Sequence, residues 1–252
     1  MSRSGIRHGI LTAVGGALLL AACATTETPS ARPVAPAIAT GVERWFEPES
    51  LRLLALLPPV PDAASTRMEL DDMLQRLARR SAADCVAADL DANKDLGRFA
   101  TALGLPAASD DPRLRETARL LADLRKLQER ITNRVKDATH RPRPFRQDQR
   151  ITTCIDRPLS DSYPSGHATF GMAAALLLAD IVPERRTELL NRGRDYGEQR
   201  IVGGVHFPSD VAAGRTAGTV IAAFLLASPQ YQRESANART GLRAALGLPA
   251  AP

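Results

Sequence analysis

Apolar residues recur along most of this chain at steps of three and four, the period that lines one face of a helix. Leu70, Met73, Leu74 and Leu77 form the first such stripe. In front of it Thr66-Arg67-Met68-Glu69 has the spacing of a capping box, which predicts a helix starting there. Asp111-Pro112 predicts the start of a longer helix, whose inner face would carry Leu114, Ala118, Leu121, Leu124, Ile131 and Val135. A third helix is expected from about Ser165. A fourth should run from Pro183-Glu184 to Gly203-Gly204, and a fifth from Ser209 through "VAAGRTAGTVIAAFLLAS". Sustained alternation of period two is missing and no internal repeat is found, so the pattern predicts an all-α, single-domain helical bundle.

The first 22 residues read differently. Arg3 and Arg7 precede an apolar run from Ile10 to Leu20 that is short for a bilayer span and ends in small residues, as a secretory signal does. Leu20-Ala21-Ala22-Cys23 has the form of a bacterial lipobox, which would lipidate Cys23 and tether the protein to the outer membrane. Ordinary cleavage nearby would instead give a soluble periplasmic or secreted protein; both readings place the chain outside the cytoplasm. Residues 23–45, rich in Thr, Pro and Ala, read as a tether. Residues 46–235 are expected to form the catalytic domain and 236–252 a C-terminal tail.

Composition adds limits. Loss of the leader removes two arginines and no acid from a formal net charge of +5, leaving a mild positive balance. Arginines interspersed with acids, as in "RLRETARLLADLRKLQER", suit a solvated helix face better than a nucleic-acid surface. Cys85 and Cys154 then remain, and in an oxidising compartment an even pair suggests one disulfide; two buried thiols are the alternative. Past the signal no stretch of about 18 consecutive apolar residues occurs, which argues against a membrane-embedded domain.

The candidate chemistry gathers around histidine. Of the four histidines in the chain, His140, His167 and His206 lie beyond the leader. His206 sits in "QRIVGGVHFPSD", with Asp210 four residues on, close enough to hold the imidazole through Nδ1–H and leave Nε2 as a nucleophile. His167 follows Pro164-Ser165-Gly166, where a helix start offers free N–H groups to an anion. "KDATHRPRPF" supplies Lys136 and Arg143, and Arg200 precedes His206. Guanidinium forks and an ammonium suit phosphate oxygens, so these groups together outline a pocket for a tetrahedral dianion flanked by two histidines. Asp71-Asp72 and Asp110-Asp111 read as helix-start acids favoured by the dipole rather than as metal ligands. Trp45 and Tyr163 read as packing residues, Tyr163 being placed where it could also line the pocket rim.

Lys136-x6-Arg143-Pro144, Pro164-Ser165-Gly166-His167 and Arg200-x5-His206-x3-Asp210 resemble the three-part signature of the type 2 phosphatidic acid phosphatase superfamily. Within it the chain looks most like the bacterial class A non-specific acid phosphatases, from "LLPPVP" at 56–61 to "SPQYQRE" at 228–234. One position departs: Gln199 stands where the third block usually has serine, which puts the packing behind Arg200 in question. The resemblance implies a metal-independent acid phosphatase acting on small phosphomonoesters, with no cofactor. His206 would become a phosphohistidine, Asp210 would orient it, and His167 would serve as acid and then base. Lys136, Arg143, Ser165, Gly166 and Arg200 would hold the phosphoryl oxygens. His140 and Arg141 match none of the signature's fixed positions. Phosphate transfer to an alcohol, and a homo-oligomeric state, are compatible with this reading. The rivals on the same fold are a vanadium-dependent haloperoxidase, whose members look longer, and a membrane lipid phosphatase.

Overall fold

A computed structural model of the chain describes residues 45–46, 51–106 and 109–250, which belong to one compact unit, Ile38–Pro252. The expected signal segment 1–22, Cys23 and all of the tether up to residue 44 lie outside the described residues. Among those described, every regular element is helical.

A short helix α1 (Leu53–Leu56) leads into α2 (Ala63–Ala78). The cap of α2 is Asp62, whose side chain accepts from the Ser65 N–H at 2.8 Å, and not Thr66 as the capping-box spacing predicts. The reason is twofold. Asp62 is itself a strong cap, so the helix is already under way at Thr66, and the Glu69 carboxylate is drawn away to Arg141 and Ser209. Asp71 and Asp72 consequently fall mid-helix, where Asp72 pairs with Arg76 at 2.7 Å.

Helix α3 (Ala82–Leu90) opens on a capping box of Ser81 and Asp84 that periodicity did not reveal. A 3₁₀ turn over Leu96–Phe99 precedes α4 (Ala100–Leu103). The long helix α5 (Arg115–Thr139) follows a 3₁₀ turn at Pro112–Leu114, capped by Asp111 as expected. Its predicted face is buried at Leu114, Leu121, Leu124, Ile131 and Val135; Ala118 is exposed, and Thr117 and Leu120 turn inward instead. After α6 (Pro144–Gln147) come α7 (Gly166–Ile181), α8 (Arg186–Val202), α9 (Pro208–Ala227) and α10 (Pro229–Ala245).

The core forms around α7, whose residues Ala173, Ala174, Ala175, Leu177 and Leu178 are inaccessible to solvent. It packs chiefly on α8 and α9, with α5 across from it. Glycines on α9 allow the closest approach. A Cβ at Gly214 would meet the Ser165 carbonyl at 2.5 Å, and one at Gly218 would meet the Thr169 carbonyl at 2.4 Å. The start of α7 and the start of α9 are thereby pressed together, which is what assembles the site. Helix α9 is long and apolar enough to cross a membrane by length and composition, but half of that window is buried inside this bundle, as for a core helix.

Residues 236–245, expected as part of a tail, form the second half of α10. Leu242 is buried there, the Thr117 hydroxyl donates to the Ala238 carbonyl at 3.2 Å, and Arg243 pairs with Glu184 at 2.8 Å. Trp45 stands edge-on to Tyr231 at 5.7 Å, the packing role expected of it. Tyr163 is buried too, its hydroxyl donating to the Pro58 carbonyl, so it is no rim residue. Cys85 of α3 is bridged to Cys154, with Cα atoms 5.7 Å apart.

Candidate active site

Asp210 is the hub. It occupies the first turn of α9, fully buried, and its Oδ2 accepts from the Phe207 N–H at 2.9 Å, closing the helix start. The Ser162 hydroxyl donates to the same oxygen at 2.5 Å, and His206 Nδ1 lies 3.3 Å from it. A carboxylate only accepts, so Nδ1 carries the proton and Nε2 keeps its lone pair. That lone pair faces Arg143 Nη1 at 3.0 Å. The other oxygen, Oδ1, accepts from Arg141 Nη1 at 2.6 Å.

Three cations surround the imidazole. Arg143 is held by backbone carbonyls of Ser160 (2.6 Å) and Val205 (2.9 Å), an arrangement favoured by Pro142 and Pro144 on either side. Lys136, in the last turn of α5, donates to the Asp161 carbonyl at 2.5 Å, and Arg143 Nη2 reaches the same oxygen at 3.2 Å. Arg200 comes from the last turn of α8 and is only 3% exposed, yet its Nε and Nη1 meet no acceptor among the described residues. Burial pushes the Lys136 ammonium down to about 7, with Arg143 as the next cause. Burial likewise lowers Arg143 and Arg200.

The start of α7 completes the arrangement. The Ser165 side chain accepts from the Ala168 N–H at 3.4 Å, and the Ser165 N–H donates to the Asp210 carbonyl at 3.0 Å. This bond ties the anion-attracting end of α7, with Gly166 and His167 in its first turn, to the His206–Asp210 pair. His167 Nε2 lies 3.2 Å from the Ala92 carbonyl and the ring lies over Tyr196, centroids 6.4 Å apart. Since a carbonyl only accepts, Nε2 is the protonated nitrogen and Nδ1 is the one left to act. Both histidines are held well below the ordinary imidazole range. For His206 the causes are burial and then Arg143; for His167, burial and then Arg200.

The structure thus brings Lys136, Arg143, Ser165, Gly166, His167, Arg200, His206 and Asp210 around one place. It leaves His140 outside. That residue caps α5 in a left-handed conformation (φ 48°), exposed, with Nδ1 3.4 Å from Asp161 Oδ2. Gln199 leaves a buried side-chain oxygen without a donor among the described residues, behind an intact Arg200.

Sequence reasoning missed Arg141, Glu69 and Ser162. Arg141 is 3% exposed, lies over the Phe207 ring at 4.1 Å, and joins Asp210 to Glu69, whose carboxylate accepts from its Nη2 at 2.8 Å. Glu69 in turn takes the Ser209 N–H at 2.7 Å. The partners lie 69 and 72 residues from Arg141 in the chain, beyond any local pattern. Ser162 could have been noticed as a small polar residue two positions before Pro164. Among the described residues no three His, Cys, Asp or Glu side chains converge as metal ligands would.

Comparison with known proteins gives the family. Residues 126–234, which carry nearly all of the site, match the PAP2 superfamily. A non-specific acid phosphatase of Providencia stuartii is 30% identical over 203 residues, covering 76% of this chain and 81% of that protein. An acid phosphatase of Zymomonas mobilis is 34% identical over 203 residues, covering 77% and 76%. A non-specific acid phosphatase of Salmonella typhimurium is 44% identical over 81 residues, 32% of each chain. The chain belongs to the PAP2 superfamily, among its class A-like acid phosphatases.

Proposed function

We propose that this phosphoric monoester hydrolase works without a metal, through a phosphohistidine on His206. One observation carries the reading. Arg200 is a buried guanidinium whose Nε and Nη1 have no acceptor among the described residues, beside a histidine kept neutral. A buried unpaired charge is costly, and phosphoryl oxygens are the partners that would satisfy it.

In this mechanism Arg200, Arg143, Lys136, the Ser165 hydroxyl and the Gly166 N–H at the start of α7 hold the phosphoryl oxygens. Four sources of positive potential then stabilise the charge developing in the transition state. His206 Nε2 attacks phosphorus with its lone pair as the bond to the leaving oxygen breaks, and that oxygen takes a proton from His167 Nδ1. The dianion offsets the cationic field that holds His167 neutral in the free site, so the imidazolium forms as substrate enters. Asp210 balances the positive charge that His206 gains. Water then gives its proton to His167 Nδ1 and attacks phosphorus, the P–N bond breaks, and inorganic phosphate leaves. An alcohol in place of water would give phosphate transfer.

The same reading places the domain outside the cytoplasm, anchored by lipid at Cys23, where the lipobox-like sequence and the Cys85–Cys154 bridge both fit. Mass spectrometry of the mature N-terminus tests the anchor. The activity is tested on the chain from residue 24 with p-nitrophenyl phosphate and EDTA. Wild type should turn over, and His206→Ala should not. A folded wild type inactive with EDTA but restored by a metal would refute metal independence, and vanadate-dependent halide oxidation would favour the haloperoxidase reading.

A further inference from the structure

Lys94 is a cation that the phosphate-holding set does not use. It lies in the loop between α3 and α4, two residues after Ala92, whose carbonyl meets His167 Nε2 at 3.2 Å. Its ammonium pairs with Glu129 Oε1 at 2.6 Å, and the side chain is 13% exposed. Glu129 stands seven residues before Lys136 on α5, which is two turns along the same face, a rise of about 10 Å. Lys94 therefore sits on the side of the site where the His167 loop and this face of α5 meet. Its field is felt by both His167 and Lys136, and Arg200 acts on it in turn.

The loop's other charges do not cancel it. Asp91 is committed to Arg98 at 2.8 Å and Arg192 at 2.5 Å. Asp95 turns back to cap the 3₁₀ turn by accepting from the Arg98 N–H. Glu129, the partner that Lys94 does have, is 44% exposed, so water can take its place beside the carboxylate if the ammonium is drawn elsewhere. The side of the site facing His167 is where a leaving group must stand to receive its proton. A cation there, paired with a solvated acid that can be exchanged, suits a leaving group that is itself anionic.

We propose that Lys94 forms a second anion subsite, which exchanges Glu129 for a phosphate carried on the far end of the leaving group. The preferred substrates are then bisphosphates rather than esters of neutral alcohols. This rests on the phosphatase reading above and extends it to substrate class.

The test compares propane-1,3-diol bisphosphate with 3-hydroxypropyl phosphate, which differ only in the distal phosphate. Wild type should show a higher kcat/KM for the bisphosphate. The ratio of the two values should fall about tenfold in Lys94→Met and be kept in Lys94→Arg, as for one partly exposed charge-assisted contact. A ratio unchanged in Lys94→Met overturns the proposal, and so does a loss in Lys94→Arg equal to that in Lys94→Met. A second measurement needs no turnover: calorimetric binding of propane-1,3-bisphosphonate against propylphosphonate to wild type and Lys94→Met. If neither ester is hydrolysed but the variant still loses the preference for the bisphosphonate, the subsite stands and the catalytic reading fails. If the binding preference is absent from wild type or survives in the variant, the subsite fails whatever the catalytic result.

Discussion

Arg141 Nη1 lies 2.6 Å from Asp210 Oδ1, on the carboxylate oxygen that His206 does not use. Its Nη2 holds Glu69, so one guanidinium bridges two carboxylates and pins α2 to the start of α9. Its charge also helps keep His206 unprotonated.

Arg141→Met should therefore do two separate things. It strands a wholly buried carboxylate, which costs about 3–5 kcal/mol for a broken buried pair and should appear as a large fall in Tm. In whatever fraction folds, the acid limb of kcat/KM should move to higher pH, because His206 loses one of the cations opposing its protonation. Arg141→Lys should recover much of the stability and most of the pH profile. A purely structural role would lower Tm and leave the profile in place.

The alkaline limb should belong to Lys136. With its ammonium pushed down to about 7 by burial, the free site loses a phosphate anchor as pH rises through that value. The kcat/KM profile is thus predicted to fall above about pH 7, giving an acid-side optimum. Lys136→Arg keeps its charge and should carry that limb upward by a unit or more even where its rate is lower. A limb that stays put in this variant would assign it to another group.

Stability should have an acid edge of its own. His206 is buried and favours the neutral form, so its folded pKa lies below the unfolded value near 6.5. Below that pH the unfolded chain binds a proton that the folded chain refuses, and stability falls as pH drops. Comparing Tm between pH 7 and 5, His206→Gln should lose less than wild type. Equal slopes would show that His206 is accommodated as the cation.

Reduction should be costly without touching the chemistry. The Cys85–Cys154 bridge closes a loop across a sequence separation of 69, worth about 4 kcal/mol in the chain-entropy model. Replacing both cysteines with serine should lower Tm by several degrees or more while kcat at low temperature stays within about threefold.

How much of this was legible in the sequence depended on range. The start of α7 was, because Ser165 and Gly166 break abruptly into an apolar run; so was the start of α5, marked by Asp111-Pro112. His206 and Asp210 are four residues apart, within one helical entry, and their relation could be read directly. The beginning of α2 was misread because Thr66 and Glu69 have the right spacing, while Asp62 caps first and Glu69 is claimed by distant partners. Helix α10 was hidden by composition, since about half of it is polar or charged and its buried face rests on Tyr231, Ala238 and Leu242. The Arg141 link joins segments that only the folded chain brings together. Local pattern records caps and faces; it does not record which acid a buried arginine finds.

The measurement that tests the central claim most directly is a chemical quench. Wild-type protein is mixed with a phosphomonoester in EDTA, stopped in alkali where phosphoramidates survive, digested, and read by mass spectrometry. The account predicts a phosphoryl group on His206, labile in acid and absent from His206→Ala. It also predicts more of that species in His167→Ala when an activated leaving group is used, because that variant lacks the base for the second step. Sustained turnover with an unmodified His206, or turnover in His206→Ala at the wild-type rate, would contradict it.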